Sequence, residues 1–281
     1  MMEETDRENA AAEADARDAW NHSTRDEFYR YYAAESLSEA TMRRFLGVRD
    51  AVLKLRGDDG ADVSLDVVDI GCGAGASSLI WAELGHRVRG LDINEALVEL
   101  ARQRAREAGC EARFDVASAT DIPWEDESAD VCVVPELLEH VADWEGCLDE
   151  VARILRPKGI LYLSTSSKLC PRQHEFNLPL YSWYPAPLKH RFERLAVTTR
   201  PALANYATYP AVNWFSFSGL RAALAARGFR EFHDRFDSAA LRDGGALRRG
   251  VLAAIRMSPV TRWLGYVATE GTIIIAVKGD G

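Results

Sequence analysis

The segment Val67-Val68-Asp69-Ile70-Gly71-Cys72-Gly73-Ala74-Gly75 decides the fold of this 281-residue chain. It begins with apolar, β-branched residues and continues into glycines at every second position. A buried strand that ends in such a turn in front of a helix lets the backbone approach a nucleotide closely. The segment therefore predicts a nucleotide-binding loop at the carboxyl end of a first strand, residues 63–70.

After this segment, predicted strands and helices alternate along the chain. The remaining predicted strands are 86–91, 113–116, 130–134, 160–164, 229–236 and 272–277. The predicted helices between them are 76–84, 94–108, 144–155 and 218–227, with Asn94 as an N-cap and Gly109 as a stop. Strands separated by helices of this length predict an α/β fold whose mostly parallel sheet has helices on both faces.

Three regions depart from this alternation. Residues 1–56 hold an acidic tail followed by two amphipathic helices, and residues 57–281 form the main domain. Within that domain, residues 166–215 are rich in proline and aromatic side chains, which predicts an inserted lid. Residues 240–268 are basic, partly apolar and interrupted by Pro259, which predicts a helical insertion. Residues 247–264 are a candidate peripheral membrane contact, with an ordinary packed helix as the alternative.

Composition excludes several classes of protein. The chain has 34 basic and 43 acidic residues, a net charge of −9, and 47% hydrophobic residues, an ordinary globular balance. The acidic balance argues against a nucleic-acid partner. No apolar run approaches the ~20 residues that span a bilayer. The N-terminus lacks secretory-signal features and the five cysteines form no CxxC pair, so we expect a cytoplasmic protein without a disulfide framework or zinc cluster.

Two acidic residues bear on the choice of nucleotide. Asp69 directly precedes the glycine loop, where a carboxylate would repel a pyrophosphate but suits a ligand that carries an ammonium and a sulfonium group. Asp92 ends the second predicted strand, where a carboxylate can accept both ribose hydroxyls of a nucleoside. Because dinucleotide-binding proteins also have an acid at this second position, Asp92 supports nucleoside binding in general, whereas Asp69 favours S-adenosylmethionine.

The glycine loop and four later motifs together resemble the class I S-adenosylmethionine-dependent methyltransferases, particularly the branch that contains ubiquinone-biosynthesis O-methyltransferases. The later motifs are Gly-Leu-Asp-Ile-Asn at 90–94, Asp-Ile-Pro-Trp at 121–124, Glu-Leu-Leu-Glu-His-Val at 136–141 and Leu-Arg-Pro-Lys-Gly at 155–159. The resemblance covers residues 63–166. It implies a Rossmann-like, seven-stranded sheet whose last strand is antiparallel and lies beside the fifth, and it identifies residues 57–281 as a methyltransferase domain.

The resemblance also implies a set of cofactor-binding residues. The loop glycines would face the methionine portion of S-adenosylmethionine, Asp92 would bind the ribose, and Ile93 would pack on the adenine. The family usually has an acid where this chain has Ser118, followed by Ala119, so a weaker hydrogen bond to the adenine amine is expected, with Asp121 as a substitute. The full predicted set is Asp69, Gly71, Gly73, Gly75, Asp92, Ile93, Ser118, Ala119 and Glu136.

The motif Glu136-x-x-Glu139-His140 supplies the catalytic candidates. On one helical turn these three side chains would lie together and could hold Mg²⁺, which would acidify an acceptor hydroxyl. In the alternative without a metal, the pair Glu139 and His140 orders the site and His140 is the general base, because its reference pKa lies near neutrality. His174 is the next candidate base, and in the RNA-modifying relatives that use the metal a downstream histidine joins the site.

The leading interpretation is methyl transfer from S-adenosylmethionine to oxygen of a small-molecule or lipid-like acceptor. The aromatic side chains of the lid would supply an apolar acceptor pocket, with a packed loop core as the alternative; they are Tyr181, Trp183, Tyr184, Trp214 and Phe215. Three other functions stay open: a divalent-metal-assisted RNA 2′-O-methyltransferase, a nicotinamide-dependent oxidoreductase and a non-catalytic nucleotide-binding protein.

Overall fold

A computed structural model describes residues 26–57, 63–173, 176–204, 213–241 and 245–280 of the chain. The predicted acidic tail and His174 lie outside these ranges. None of the helices within them has the length and apolar character that crossing a bilayer requires.

Seven strands form a single sheet. They are β1 (Asp66–Ile70), β2 (Arg87–Asp92), β3 (Ala112–Val116), β4 (Ala129–Pro135), β5 (Leu155–Ser166), β6 (Phe229–Asp234) and β7 (Gly271–Lys278). Their order is β3-β2-β1-β4-β5-β7-β6, and β7 is antiparallel to both of its neighbours. The predicted seven-stranded sheet, with the last strand inserted beside the fifth, is confirmed. The strand order reverses between β1 and β4, and at such a switch point ligands bind at the carboxyl ends of the strands.

Ten helices surround the sheet in the described ranges. They are α1 (Asp26–Glu35), α2 (Glu39–Arg56), α3 (Ala76–Ala82), α4 (Glu95–Ala108), α5 (Trp144–Ile154), α6 (Ala186–Thr198), α7 (Phe217–Ala225), α8 (Arg235–Leu241), α9 (Ala246–Arg256) and α10 (Pro259–Val267). The predicted ends of α4 are confirmed: Asn94 accepts from the backbone N–H of Leu97, and Gly109 ends the helix in the left-handed region.

The two faces of the sheet carry separate cores because successive strand residues point to opposite sides. Val68 and Ile70 face the core shared with α5 and α7. Val67 faces the other core, which includes Val52 and Ala51 of α2. The N-terminal region therefore completes one layer of the main domain through α2, which covers this face of the sheet together with Trp81 and Ala82 of α3.

The inserted segment 166–215 is more regular than predicted. It contains the thirteen-residue helix α6 and two single turns of 3₁₀ helix, Tyr181–Trp183 and Pro201–Leu203. Phe176, Tyr181 and Trp214 are buried against one another, with the rings of Phe176 and Tyr181 stacked at 4.1 Å. The insertion thus has a small aromatic core of its own, which explains why its sequence lacks strand–helix periodicity.

Within the predicted helical insertion 240–268, the structure has the helices α9 and α10. Pro259 is the first residue of α10, where its missing N–H leaves no helical hydrogen bond unmade. Ser258 and Thr261 form a reciprocal capping box at the same position. The proline therefore begins a second helix instead of merely interrupting one.

Candidate functional site

The three loop glycines all have left-handed backbone torsions but differ in their surroundings. A Cβ on Gly75 would lie 2.9 Å from the Cβ of Ala101, so Gly75 permits close packing of the loop on α4. A Cβ on Gly71 would meet Leu137 at 3.1 Å, whereas around Gly73 nothing lies within 4 Å. Gly71 and Gly73 line the cleft, whereas Gly75 lies outside its lining, so a contact between Gly75 and the cofactor stays a prediction.

Asp92 is held at the end of β2 by two backbone donors. Its Oδ2 accepts from the N–H of Gly73 and its Oδ1 from the N–H of Asn94, both at 2.9 Å. Burial raises the pKa of Asp92, and these backbone donors oppose that rise. The carboxylate lines the cleft beside Ile93, whose side chain is 39% exposed. The structure therefore brings Asp92, Ile93 and the glycine loop together.

Asp69 is fully buried at the carboxyl end of β1. Its Oδ2 accepts from the hydroxyl of Ser78 at 2.7 Å, while its Oδ1 makes no hydrogen bond within the described ranges. Burial raises the pKa of Asp69 to about 6, and the hydrogen bond from Ser78 limits the rise. Because Asp69 also lines the cleft, its unsatisfied oxygen suits a cationic group bound there.

Ser118 and Ala119 line the same cleft beyond β3. The hydroxyl of Ser118 lies 2.8 Å from that of Thr120 and accepts from the backbone N–H of Thr120, so a local turn fixes its direction. Asp121 is exposed and lies outside the lining of the cleft. The structure therefore does not support Asp121 as the substitute for the missing family acid.

Glu136 follows β4 in a strained backbone conformation, with φ of 51°. Its N–H donates to the carbonyl of Ser164 at 2.9 Å, and its Oε1 accepts from the hydroxyl of Ser164 at 2.6 Å. The same oxygen lies 3.7 Å from the guanidinium of Arg44 on α2. Left-handed non-glycine residues concentrate at functional sites, and this one belongs to the lining of the cleft.

Glu139 and His140 lie in a turn, not on the predicted helical turn. The N–H of His140 donates to the carbonyl of Leu137 at 2.8 Å, and α5 begins only at Trp144. Glu139 is buried, and its carboxylate accepts from the hydroxyl of Thr165 at 2.7 Å. The backbone N–H of Asn213 donates to the carbonyl of Glu139 at 3.1 Å.

The predicted metal ligands diverge from one another. The carboxylate of Glu136 is bonded to Ser164 and that of Glu139 to Thr165, and consecutive residues of a strand point to opposite faces. Within the described ranges, no three histidine, cysteine or acidic side chains are arranged to hold a metal ion. The described structure therefore does not support the prediction that Glu136, Glu139 and His140 form a ligand set. All three residues nevertheless line the cleft.

The cleft has a volume of about 370 Å³, and the N-terminal helices form one of its walls. Phe45 and Arg44 of α2 contribute to that wall. Among the described residues that line the cleft, Arg44 is the single lysine or arginine. Arg104 of α4 ties α1 to the glycine loop by donating to the carbonyls of Ala33 and Ala74, at 2.8 and 3.0 Å. The sequence predicted amphipathic helices here but contained no signal for which of their residues reach the site.

The described aromatic side chains of the insertion lie outside the lining of this cleft. Tyr181 and Trp214 are buried in the aromatic core, and Phe215 packs edge-on against Trp144 with ring centroids 5.3 Å apart. Tyr184 packs on Tyr181, and Trp183 lies on the surface. Since most of these rings pack on one another, the described residues favour the packed loop core over the acceptor pocket.

The charges around the cleft fit S-adenosylmethionine. Asp69 borders the glycine loop and would repel a pyrophosphate, whereas Asp92 suits the ribose of any nucleoside. The adenosyl donor carries ammonium and sulfonium groups that favour acidic surroundings, and a carboxylate that a cation such as Arg44 can pair. The open space at Gly73 leaves room for a ligand close to the backbone.

Comparisons with known proteins agree with this geometry. A family model described as a methyltransferase domain matches residues 68–163. A demethylmenaquinone methyltransferase of Tropheryma whipplei (strain Twist) is 30% identical over 177 residues, which cover 61% of this chain and 69% of the relative. A ubiquinone biosynthesis O-methyltransferase of Xanthomonas euvesicatoria pv. vesicatoria (strain 85-10) is 37% identical over 103 residues, which cover 36% of this chain and 43% of the relative.

Solved structures share the fold. The PH0226 protein of Pyrococcus horikoshii OT3 matches with a TM-score of 0.56 and 15% identity over 90% of this chain and 99% of its own. The YcgJ protein of Bacillus subtilis matches with a TM-score of 0.51 and 21% identity over 83% of this chain and 99% of its own. Sheet order, cleft and sequence similarity together show that the chain belongs to the class I S-adenosylmethionine-dependent methyltransferases.

Proposed function

We propose that the protein transfers a methyl group from S-adenosylmethionine to a hydroxyl oxygen of a small, lipid-like acceptor. The observation that carries the proposal is that Asp69, Gly73, Asp92 and His140 line one cleft at the switch point of the sheet. Donor-binding groups and a candidate base thus share one cavity, as an in-line transfer requires.

In this proposal each end of the donor has its own residues. Asp92 accepts hydrogen bonds from the ribose, and the exposed side chain of Ile93 packs on the adenine. Asp69 pairs with the ammonium group. Arg44, which sequence reasoning missed, pairs with the donor carboxylate, because it carries the positive charge in the cleft wall. Once bound, S-adenosylmethionine supplies an electrophilic methyl group on a sulfonium.

His140 removes the proton from the acceptor hydroxyl. Its turn is held in place by Asn213, whose side-chain amide donates to the carbonyl of Val141 at 2.8 Å. Asn213 also bonds the carbonyl of Glu139 through its backbone N–H, so the insertion clamps both sides of His140. We assign Asn213 as a positioning residue, since it acts on the reaction through the turn.

The acceptor class follows from the relatives and from the apolar lining. The relatives are named for demethylmenaquinone methylation and for O-methylation in ubiquinone biosynthesis, so a quinol-type acceptor is our first choice for this chain. Phe45, Leu137 and Val141 give the cleft apolar surface for such a ring. RNA methylation is not favoured because the metal ligands diverge, and a nicotinamide is not favoured because Asp69 borders the loop.

A methylation assay with demethylmenaquinol and a simple catechol tests the proposal. We expect acceptor-dependent release of S-adenosylhomocysteine and a product whose nuclear magnetic resonance spectrum shows a methoxy group. His140→Gln should lower kcat by about 10²–10⁴-fold and leave binding of S-adenosylhomocysteine unchanged. The matched control is His190→Gln, an exposed histidine on α6. Turnover with neither acceptor, or equal loss in both variants, would contradict the proposal, and a ring-attached methyl would assign transfer to carbon.

A further inference from the structure

Helix α10 has the reverse of the usual amphipathic arrangement. Val260, Trp263 and Leu264 recur at the spacing of one helical face and are all largely exposed; we call them the outer stripe. The opposite face carries polar residues that point into the protein. The guanidinium of Arg262 lies 2.7 Å from the fully buried carboxylate of Asp234, and the hydroxyl of Tyr266 donates to the same carboxylate at 2.6 Å.

This orientation is fixed by packing. A Cβ on Gly265 would collide with the ring of Phe236, so the inner side of α10 packs closely on α8. The hydroxyl of Thr261 donates to the carbonyl of Ile255 at 2.8 Å and joins α10 to the end of α9. The outer stripe is therefore held away from the core by a buried ion pair and close packing, and a small rotation of the helix would not bury it.

Helix α9 extends the apolar surface. Leu247 and Met257 are 84% and 83% exposed, and Val251 lies on the same side of the helix as Leu247. Leu252 and Ile255, which fall within the candidate membrane contact 247–264, are only half-exposed. In the described ranges, neither α9 nor α10 contains a fully buried residue, although both are strongly amphipathic. Large exposed apolar patches of this kind mark interaction surfaces.

The charge of this segment differs from that of the rest of the chain. Residues 245–269 contain four arginines and no acidic residue, whereas the whole chain has a net charge of −9. Arg256 and Arg262 are paired with acids at α8 and β6, and Arg248 and Arg249 lie exposed on the first turns of α9. Exposed tryptophan and leucine beside arginine match the interface of an anionic bilayer.

We infer that α9 and α10 form a docking surface for an anionic lipid bilayer, with the outer stripe inserted among the acyl chains and the arginines near the headgroups. A second copy of the chain is a poorer occupant, because a symmetric contact would bring the arginines of both copies together. Since β6 is parallel to β5, the segment leaves the sheet at the edge where the cleft opens. The inference does not depend on the identity of the methyl acceptor.

Co-sedimentation of the full chain with lipid vesicles tests this inference. We expect binding to vesicles of equimolar phosphatidylcholine and phosphatidylglycerol, weaker binding to pure phosphatidylcholine, and release by salt. Trp263→Ser with Leu264→Ser should lower the affinity for anionic vesicles by about tenfold or more. Leu180→Ser with Trp183→Ser is the matched control, because Trp183 is 54% exposed against 52% for Trp263 but lies on the insertion.

Two further measurements keep the test decisive. Thermal unfolding should show that both double variants remain folded, and the single change Val260→Ser, which adds no charge, should lower vesicle binding in the same direction. Wild-type protein that stays in the supernatant with anionic vesicles would overturn the inference, and so would equal losses in the two double variants. The surface would instead be assigned to self-association if the wild type were a dimer that does not bind vesicles and the double change at Trp263 and Leu264 made it a monomer.

Discussion

Replacing Asp69 with asparagine should change the free energy of unfolding and the affinity for the cofactor in opposite directions. The wild-type carboxylate is fully buried and has one oxygen without a hydrogen bond in the described ranges. Its pKa is about 6, above the ordinary value of 3.8, because burial disfavours the charged form. We therefore expect the ligand-free protein to carry a stability cost at neutral pH that Asp69→Asn removes, since asparagine keeps the acceptor for Ser78 but has no charge.

The size and sign of this effect follow from linkage. The folded state binds the Asp69 proton more tightly than the unfolded state, so this group favours folding below about pH 4 and loses that contribution as pH rises through about 6. Raising a pKa from 3.8 to about 6 corresponds to about 3 kcal/mol. The free energy of unfolding of Asp69→Asn should therefore gain about 2.4 kcal/mol relative to wild type between pH 4 and pH 7, since Asp69 of the unfolded wild type is already more than half ionised at pH 4. Comparing two pH values cancels the constant cost of burying the new amide.

Urea denaturation of both proteins at the two pH values measures this gain. With saturating S-adenosylhomocysteine at pH 7 the wild type should be stabilised more than the variant, because the ligand ammonium neutralises the Asp69 carboxylate. The affinity of the wild type for the ligand should also rise with pH through about 6, while that of Asp69→Asn stays flat across this range. A gap between the two proteins that does not change with pH would refute the reasoning.

Three other predictions concern the loop, the base and the insertion. Gly73→Ala and Gly85→Ala should each cost about 1 kcal/mol in stability, because both glycines have left-handed torsions and an added Cβ would meet nothing within 4 Å. Only Gly73→Ala should weaken the binding of S-adenosylhomocysteine in calorimetry, because Gly73 lines the cleft. The kcat of the wild type should fall at low pH with His140 protonation, and His140→Gln should abolish that dependence in a pH–rate profile. Burial lowers the pKa of Lys189 to about 8, so wild-type stability should rise towards pH 10.5 as Lys189 loses its charge. The free energy of unfolding of Lys189→Met relative to wild type, measured by urea denaturation, should therefore fall by about 3 kcal/mol between pH 7 and pH 10.5. A difference between the two proteins that stays constant with pH would contradict this.

The parts of the fold that the sequence predicted depend on local signals. Asn94 and Gly109 bound α4 because a cap and a left-handed stop act on neighbouring residues. Asp69, Gly73 and Asp92 meet at one cleft because the carboxyl ends of adjacent parallel strands share an edge. For these residues, type and position relative to a strand end were sufficient.

The parts that sequence reasoning missed depend on contacts between distant residues. Glu139 and His140 have helical spacing, but the hydrogen bonds from Thr165 and Asn213 hold them in a turn. The aromatic residues of the insertion resemble a ligand pocket in composition, yet most of them pack on one another. Arg44 reaches the cleft only because α2 packs on the sheet. Spacing along the chain contains none of this information.

A crystal structure of the complex with S-adenosylhomocysteine tests the central claim most directly, which is that acids around the glycine loop select a positively charged adenosyl donor. The account predicts ribose hydroxyls within hydrogen-bond distance of Asp92, the ligand ammonium on the side of Asp69, and its carboxylate towards Arg44. Ligand density elsewhere on the protein, or a cleft closed by its own side chains in the presence of saturating ligand, would contradict it.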